Sequence, residues 1–158
     1  MKGLSSSRML MGVILGIEST THTFSIGGVS TSGDTIPSSS ALFRPETGGI
    51  HPREAADHHS IISGEKFKQF ISENNLDLNQ IDAIAYSQGP GLGPCLRVGA
   101  SVARSLSEKL TIPLIGVNHC VAHIEIGRLQ TGCKDPVLLY VSGGNTQVIA
   151  RKGGRYRV

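Results

Sequence analysis

Residues 13–29 read VILGIESTTHTFSIGGV, two apolar runs on either side of the polar, turn-prone residues 18–21. Each run suits a short β-strand, and the polar residues suit the turn between them. A third strand-like segment covers residues 39–43. Three strands joined by short turns predict a meander at the start of the chain.

Helices and strands alternate after this meander. Pro52 suits the first position of a helix that extends to residue 74, and Asn118 suits the N-cap of a helix that ends near residue 130, with Gly132 beyond it. The other predicted elements are a strand at 81–87, a helix at 95–110, a strand at 114–117 and two strands at 137–141 and 146–150. This order predicts an α/β fold in which helices pack on a mixed sheet.

The composition excludes several classes of protein. Of 158 residues, 39% are hydrophobic, enough for the core of one domain or of one lobe of a larger protein. The net charge is +3, but four of the 15 basic residues lie in residues 151–158. The positive net charge of the chain is therefore weak support for a surface that binds nucleic acid. Three cysteines without a C-x-x-C pair argue against a disulfide framework and a thiolate zinc site. No apolar run is long enough to span a bilayer, and we expect a cytoplasmic protein.

His119 and His123 are four residues apart on a predicted helix, so both imidazoles project from one face. A helix offers this spacing to two ligands of one metal ion. Spacing alone favours the alternative, two polar histidines on an exposed face. A zinc peptidase needs a glutamate directly after the first histidine, and Cys120 stands there, so that mechanism lacks its base.

The turn Ser142-Gly143-Gly144-Asn145 joins the last two predicted strands. Its glycines allow close approach to a ligand, and successive N–H groups can hold phosphate or carboxylate. A plain Gly-Asn hairpin turn is the alternative, and it is favoured on this motif alone. Tyr140 precedes the turn and is either a core aromatic or a phenolate ligand.

Two further loops each allow a structural and a functional interpretation. The loop at residues 89–94 (GPGLGP) lacks the lysine and the spacing of a phosphate-binding loop and favours a rigid packing turn. Residues 18–21 predict either a contact with a metal–phosphate group or a polar hairpin turn.

Four segments together resemble one family. They are residues 15–23 (LGIESTTHT), 49–56 (GIHPREAA), 87–94 (SQGPGLGP), and a long stretch with GVNHCVAHIE at 116–125 and LYVSGGNTQV at 139–148. They resemble the universal tRNA threonylcarbamoyladenosine synthases in their archaeal and eukaryotic KEOPS-complex form. The likeness covers nearly everything from residue 13 to residue 158.

This resemblance implies an actin-like ATPase fold (ASKHA, related to RNase H) of two lobes. Residues 13–158 would form the N-terminal lobe and residues 1–12 an extension, with the second lobe absent from this chain. The family transfers a threonylcarbamoyl group from threonylcarbamoyl-AMP to N6 of the adenosine adjacent to the anticodon.

The resemblance also implies the site residues. One iron or zinc ion per subunit would be held by His119, His123 and Tyr140. The adenylate substrate would contact the segment Tyr140, Val141, Ser142, Gly143 and Gly144. No residue is assigned as a catalytic acid or base. Because a fourth ligand, an aspartate, belongs to the second lobe, we expect this chain to be inactive alone.

Partners follow from the same resemblance. A small dimerising subunit would dock on the helices at 52–74 and 95–110. The other expected partners are a small protein kinase/ATPase subunit and tRNA. Two alternatives stay open: a non-catalytic docking scaffold in such a complex, and an actin-like ATPase or kinase without tRNA chemistry. The last alternative offers no reason for the paired histidines.

Overall fold

The computed structural model describes residues 12–142 and 145–158, which contain three α-helices and two β-sheets. The predicted extension, residues 1–12, lies outside the described residues except for Gly12. The helices are α1 (Pro52–Glu73), α2 (Gly93–Leu110) and α3 (His119–Thr131). The strands are β1 (Val13–Glu18), β2 (Thr23–Ser30), β3 (Thr35–Leu42), β4 (Ile81–Gly89), β5 (Leu114–Asn118), β6 (Val137–Ser142), β7 (Asn145–Lys152) and β8 (Arg155–Arg157).

The first sheet has five strands in the order β3-β2-β1-β4-β5. The meander β1–β3 is antiparallel, whereas β4 and β5 join it in parallel. The predicted mixed sheet with packed helices is therefore confirmed. Parallel pairing brings the carboxyl ends of β1, β4 and β5 to one edge, which is where open α/β sheets bind ligands.

One face of the first sheet forms the main core. Alternate residues of β1 and β2 point into it and pack against α1 and α2, as period-two strands require. The fully or almost fully buried members are Leu15, Ile17, Phe24, Ile26, Phe70, Ile81, Ile84 and Ala103. This core fixes β1 and β4, and therefore the edge at which they end.

The second sheet, β6-β7-β8, is antiparallel and packs on α3 through one face. Ile149 of β7 is buried against Cys120 and Ile124 of α3, with Leu138 and Tyr140 beside them. The opposite face carries exposed apolar side chains, namely Val137, Leu139, Val141 and Val148. Whether residues 13–158 form one lobe stays a prediction, because the range contains two separate sheets.

Two elements differ from the sequence prediction. β3 begins at Thr35 rather than at residue 39, because Pro37 is tolerated in an edge strand, where its missing N–H breaks no ladder. β8 was not predicted at all. Gly153 and Gly154 both have positive φ, 55° and 79°, which is the geometry of a tight hairpin turn.

None of the described helices combines the length and the apolar character needed to cross a membrane.

Candidate functional site

The two histidines of α3 lie side by side at the start of the helix. Asn118 caps α3, since its Oδ1 accepts hydrogen bonds from the N–H groups of Cys120 at 3.0 Å and Val121 at 3.2 Å. This cap puts His119 in the first turn and His123 directly above it. Their Nε2 atoms are 3.2 Å apart, and their ring planes cross at 87°.

Glu18 holds His119 from the other side. The Nδ1 of His119 lies 3.0 Å from Oε2 of Glu18, at the carboxyl end of β1. Ser87 of β4 donates a hydrogen bond to the same oxygen, and the N–H of Thr20 donates to Oε1 at 2.6 Å. A carboxylate at Nδ1 fixes the ring with its Nε2 directed away from Glu18.

Glu18 is ionised at physiological pH. Burial alone raises the pKa of this carboxyl, but hydrogen bonds from His119, Ser87 and Thr20 stabilise the charged form more strongly. The net effect lowers the pKa of Glu18 from 4.5 to about 2. The carboxylate is thus a permanent hydrogen-bond acceptor for His119.

His123 and Tyr140 complete the cluster. Burial, together with the neighbouring His119, lowers the pKa of His123 and favours its neutral form, the form that ligates metals. The Tyr140 ring centroid lies 6.0 Å from that of His119 and 5.7 Å from that of His123. Tyr140 also packs beside Cys120 and Ile124, so its ring contributes to the local core and borders the histidine pair.

The histidine pair fits a shared metal ion. The two Nε2 atoms are at hydrogen-bond distance, 3.2 Å, and two imidazole nitrogens bound to one zinc ion at about 2.05 Å would lie about 3.3 Å apart at the tetrahedral angle. Among the described residues, no group of three or more His, Cys, Asp or Glu side chains is arranged to hold an ion. Tyr140, whose ring borders the pair, is the neighbouring side chain with a donor atom of another type.

A cleft of about 570 Å³ opens beside His119 and Tyr140. One wall is the turn after β1, and the facing wall is the loop before α2. The two walls touch: the N–H of Leu92 donates to the carbonyl of Thr20 at 2.7 Å, and a Cβ on Gly91 would stand 2.6 Å from that oxygen. Seven of its ten lining residues have polar side chains, but carbon atoms make up most of the surface that they expose. The lining comprises Glu18, Thr20, Thr21, Thr23, Pro90, Gly91, Leu92, His119, Tyr140 and Ser142.

The predicted substrate segment only partly faces this cleft. Tyr140 and Ser142 line it, but the side chain of Val141 points to the opposite face of β6 and is 68% exposed, as strand alternation requires. Val141 can therefore offer only its backbone to a ligand there. Gly143 and Gly144 lie outside the described residues.

The sequence pattern indicates no definite role for Glu18, because its partner His119 is 101 positions away in the chain. The available signal was an acidic residue directly after a buried strand and before a polar turn. The loop at 89–94 packs against Thr20, as a rigid turn would.

A mixed five-stranded sheet with packed helices, and a cleft at the carboxyl ends of its parallel strands, defines the fold class. The structure resembles YeaZ from Pseudomonas aeruginosa with a TM-score of 0.66 at 17% identity, over 93% of this chain and 63% of that one. A Ppx/GppA family member from Aquifex aeolicus superposes with a TM-score of 0.50 at 11% identity, over 93% of this chain and 49% of that one. These likenesses concern the fold alone. They confirm the predicted actin-like ASKHA class.

The family model for tRNA N6-adenosine threonylcarbamoyltransferase (TsaD) matches residues 35–158, and the chain belongs to this family of transferases. The Archaeoglobus fulgidus protein of that name is 55% identical over 148 residues, 92% of this chain and 44% of that protein. A probable bifunctional tRNA threonylcarbamoyladenosine biosynthesis protein of Methanocaldococcus jannaschii is 53% identical over 148 residues, 92% of this chain and 27% of that protein. The predicted family is thus confirmed, and the chain spans less than half the length of these curated relatives.

Proposed function

We propose that this chain carries one side of the active site of a tRNA N6-adenosine threonylcarbamoyltransferase. The observation that carries the proposal is the pair of Nε2 atoms of His119 and His123, 3.2 Å apart beside the cleft. An actin-like ATPase without tRNA chemistry would give no reason for this pair. Family membership supports the same activity.

The reaction joins the N6 amine of a tRNA adenosine to the carbonyl carbon of threonylcarbamoyl-AMP. A C–N bond forms, the bond from the carbonyl carbon to the phosphate oxygen breaks, AMP leaves, and N6 loses one proton. We assign no acid or base on this chain to that proton.

His119, His123 and Tyr140 would hold one iron or zinc ion. Two imidazoles and a phenolate oxygen form a donor set that suits either metal. When bound, such an ion polarises oxygens of the acyl-phosphate group and favours attack by the amine. Glu18 is a positioning residue in this scheme, because it accepts the Nδ1–H of His119 and directs Nε2 toward His123 and the proposed ion.

The cleft would bind the adenylate. Its volume of about 570 Å³ lies within the range of small-molecule sites, roughly 300–1,000 Å³. Tyr140, the backbone of Val141 and Ser142 would form its wall on the β6 side, with Gly143 and Gly144 proposed for the phosphate. The hydroxyl groups of Thr20, Thr21 and Thr23 provide donors and acceptors in and beside the turn after β1.

Partner proteins would dock on α1 and α2, which cover one face of the first sheet. Ile61 of α1 is 81% exposed, and a groove of about 340 Å³ between α1 and α2 is lined by Ser60, Ser63, Arg97 and Val98, among others. We propose this surface for a small dimerising subunit of a KEOPS-type complex. A small protein kinase/ATPase subunit would complete that complex, which we locate in the cytoplasm because its tRNA substrate is there.

Elemental analysis tests the metal proposal without an activity assay. The purified 158-residue chain is loaded with iron or zinc, desalted and measured beside His119→Ala and His123→Ala. We expect close to one metal ion per chain in the unsubstituted protein and at least about a tenfold loss of affinity in each variant, since each removes one ligand.

His51→Ala is the matched control, because His51 is an exposed histidine at the start of α1 with no side-chain cap hydrogen bond. It should retain full metal content. Metal that persists in both α3 variants would contradict the proposal. Transfer activity is then measured after the remaining half of the family's length is restored, and we expect none from this chain alone.

A further inference from the structure

The β7–β8 hairpin concentrates the positive charge of the protein. It contains Arg151, Lys152, Arg155 and Arg157, four of the 15 basic residues of the chain. The other 11 basic residues stand against 12 acidic ones, so the rest of the chain has no excess of positive charge. The hairpin is therefore the candidate cationic surface.

Strand register divides these four residues between two faces. Arg151 pairs with Tyr156 in the β7–β8 ladder, whereas Lys152 pairs with Arg155 and Ala150 pairs with Arg157. Paired residues share a face of a sheet, and alternate residues along a strand share it too. Lys152, Arg155 and Arg157 therefore lie on one face, opposite Arg151 and Tyr156.

The face that carries Arg151 is held against α3 by ion pairs and hydrogen bonds. Arg151 lies 3.5 Å from Glu125 and 3.3 Å from Asp135, and it donates to the carbonyl of Lys134 at 2.8 Å. The hydroxyl of Tyr156 donates to Glu125 as well. These contacts hold the hairpin in a fixed position relative to the helix that carries His119 and His123.

The other face presents three unpaired cations. Lys152, Arg155 and Arg157 are exposed, and within residues 12–142 and 145–158 none forms an ion pair with a carboxylate. Within the described residues β8 lies at the edge of its sheet, and these side chains are exposed there. Arginine is well suited to phosphate, because its planar guanidinium can donate two parallel hydrogen bonds.

The distance between the hairpin and the histidine pair suits a nucleic acid that contacts both. Gln147 lies opposite Tyr140, and Lys152, which projects from the other face of the hairpin, is five residues further along β7, about 16.5 Å at 3.3 Å per residue. A stacked nucleic-acid strand carries one phosphate per about 3.4 Å. An RNA whose adenosine enters the cleft therefore has several phosphates within reach of the hairpin.

We propose that Lys152, Arg155 and Arg157 form a phosphate-binding surface for the tRNA backbone near the modified adenosine. The inference rests on the proposed function, which supplies tRNA as the ligand. No base-edge recognition is involved: the three cations supply affinity and orientation, and the cleft selects the adenosine.

The test measures binding of a fluorescently labelled tRNA transcript to the 158-residue chain by anisotropy over a series of salt concentrations. The variant combines Lys152→Gln, Arg155→Gln and Arg157→Gln. We expect at least about a tenfold loss of affinity, and a slope of log K against log salt that is shallower by about 2, because each lost phosphate contact contributes about 0.7 to that slope.

The matched control combines Lys68→Gln, Arg104→Gln and Lys109→Gln, three exposed cations on α1 and α2. It removes the same charge and should leave the affinity within about twofold. An equal loss in both triple variants would overturn the inference, since net charge alone would explain it. Unchanged tRNA binding in the hairpin variant would also overturn the inference. It would favour an acidic protein segment as the ligand of this surface. An unsubstituted chain that does not bind tRNA would overturn the inference as well.

Metal content separates this inference from the proposed function. The hairpin variant leaves His119, His123 and Tyr140 untouched and should bind iron or zinc as the unsubstituted chain does. If the hairpin variant loses tRNA binding but retains its metal, the result supports phosphate binding by the hairpin. Failure of the metal test in the unsubstituted chain would count against the metal site and not against the hairpin.

Discussion

The two sheets of this protein bury their apolar residues to very different extents. In the first sheet, Leu15, Phe24 and Ile84 have 0% exposure because α1 and α2 cover one whole face. In the second sheet, Leu139 and Val141 are 64% and 68% exposed, and packing on α3 covers only the opposite face. The first sheet therefore supplies stability, whereas the second depends on α3 for its position.

The histidine pair lies where these two regions meet. Glu18 comes from the first sheet, His119 and His123 from α3, and Tyr140 from the second sheet. The geometry of the site consequently depends on the contact between a firmly packed region and a more exposed one.

The largest expected difference concerns apolar side chains in the two sheets. Ile84→Ala should lower the free energy of unfolding by about 2–5 kcal/mol, because it removes a fully buried side chain and leaves a cavity. Leu139→Ala should change it by less than about 0.5 kcal/mol, because the side chain is mostly in water. Urea denaturation of both variants measures the difference. Equal losses would contradict the contrast between the sheets.

The second effect concerns two glycines of the loop before α2. Gly91→Ala should lower the free energy of unfolding by about 1–3 kcal/mol, since the new Cβ would meet the backbone of Thr20. Gly93→Ala is the matched control: nothing lies within 4 Å of its Cβ position, and loss of a flexible glycine should stabilise by up to about 1 kcal/mol. Thermal unfolding followed by circular dichroism compares them. A destabilised Gly93→Ala beside an unaffected Gly91→Ala would show that the two walls of the cleft do not touch.

The third effect tests the attachment of the second sheet. Glu125→Gln weakens the contacts to Arg128, Arg151 and Tyr156 at once. We expect amide hydrogen exchange in β8 to accelerate by about tenfold or more while β1 stays protected, because local opening of the hairpin becomes easier. Glu73→Gln at the end of α1 serves as the control and should leave β8 unchanged. Unaltered exchange in both variants would mean that apolar packing alone holds the hairpin.

The smallest effect is a pH dependence of the first region. His59 of α1 is fully buried, with Nε2 2.9 Å from the carbonyl of Thr21, and burial lowers its pKa from 6.5 despite that hydrogen bond. The unfolded chain binds the proton at higher pH, so stability falls as the pH drops below about 6.5 and levels off below the folded-state pKa. Urea midpoints at about pH 7.5 and about pH 5.5 should differ less in His59→Gln than in the unsubstituted protein. A larger difference in the variant would assign the acid sensitivity to other groups.

Local patterns predicted much of the fold. Apolar runs of strand length, Pro52, the Asn118 cap and Gly132 mark their elements in a few neighbouring residues, and the structure has each of these elements close to the predicted bounds. β8 was missed because its three residues, Arg155–Arg157, are polar and carry no alternating apolar signal. The two glycines before it were the only local sign of a turn.

The histidine spacing likewise predicted a pair on one helix face, because 3.6 residues per turn bring positions i and i+4 together. The contact of Glu18 with His119 had no such local signal. It depends on parallel pairing of β1 with β4 and of β4 with β5, which brings the ends of distant strands to one edge. The outward direction of Val141 depended on the register of β6 against β7, with Tyr140 turned toward α3.

By itself, the sequence determined the α/β class, the two apolar runs of the opening meander, the paired histidines and the family, because these are local patterns or direct matches of residues. Only the tertiary structure decided which carboxylate orients His119, how closely the two Nε2 atoms approach, and which three cations of the hairpin face outward. These are relations between residues far apart in the chain, and the packing of strands and helices sets them by burying one face of each element and exposing the other.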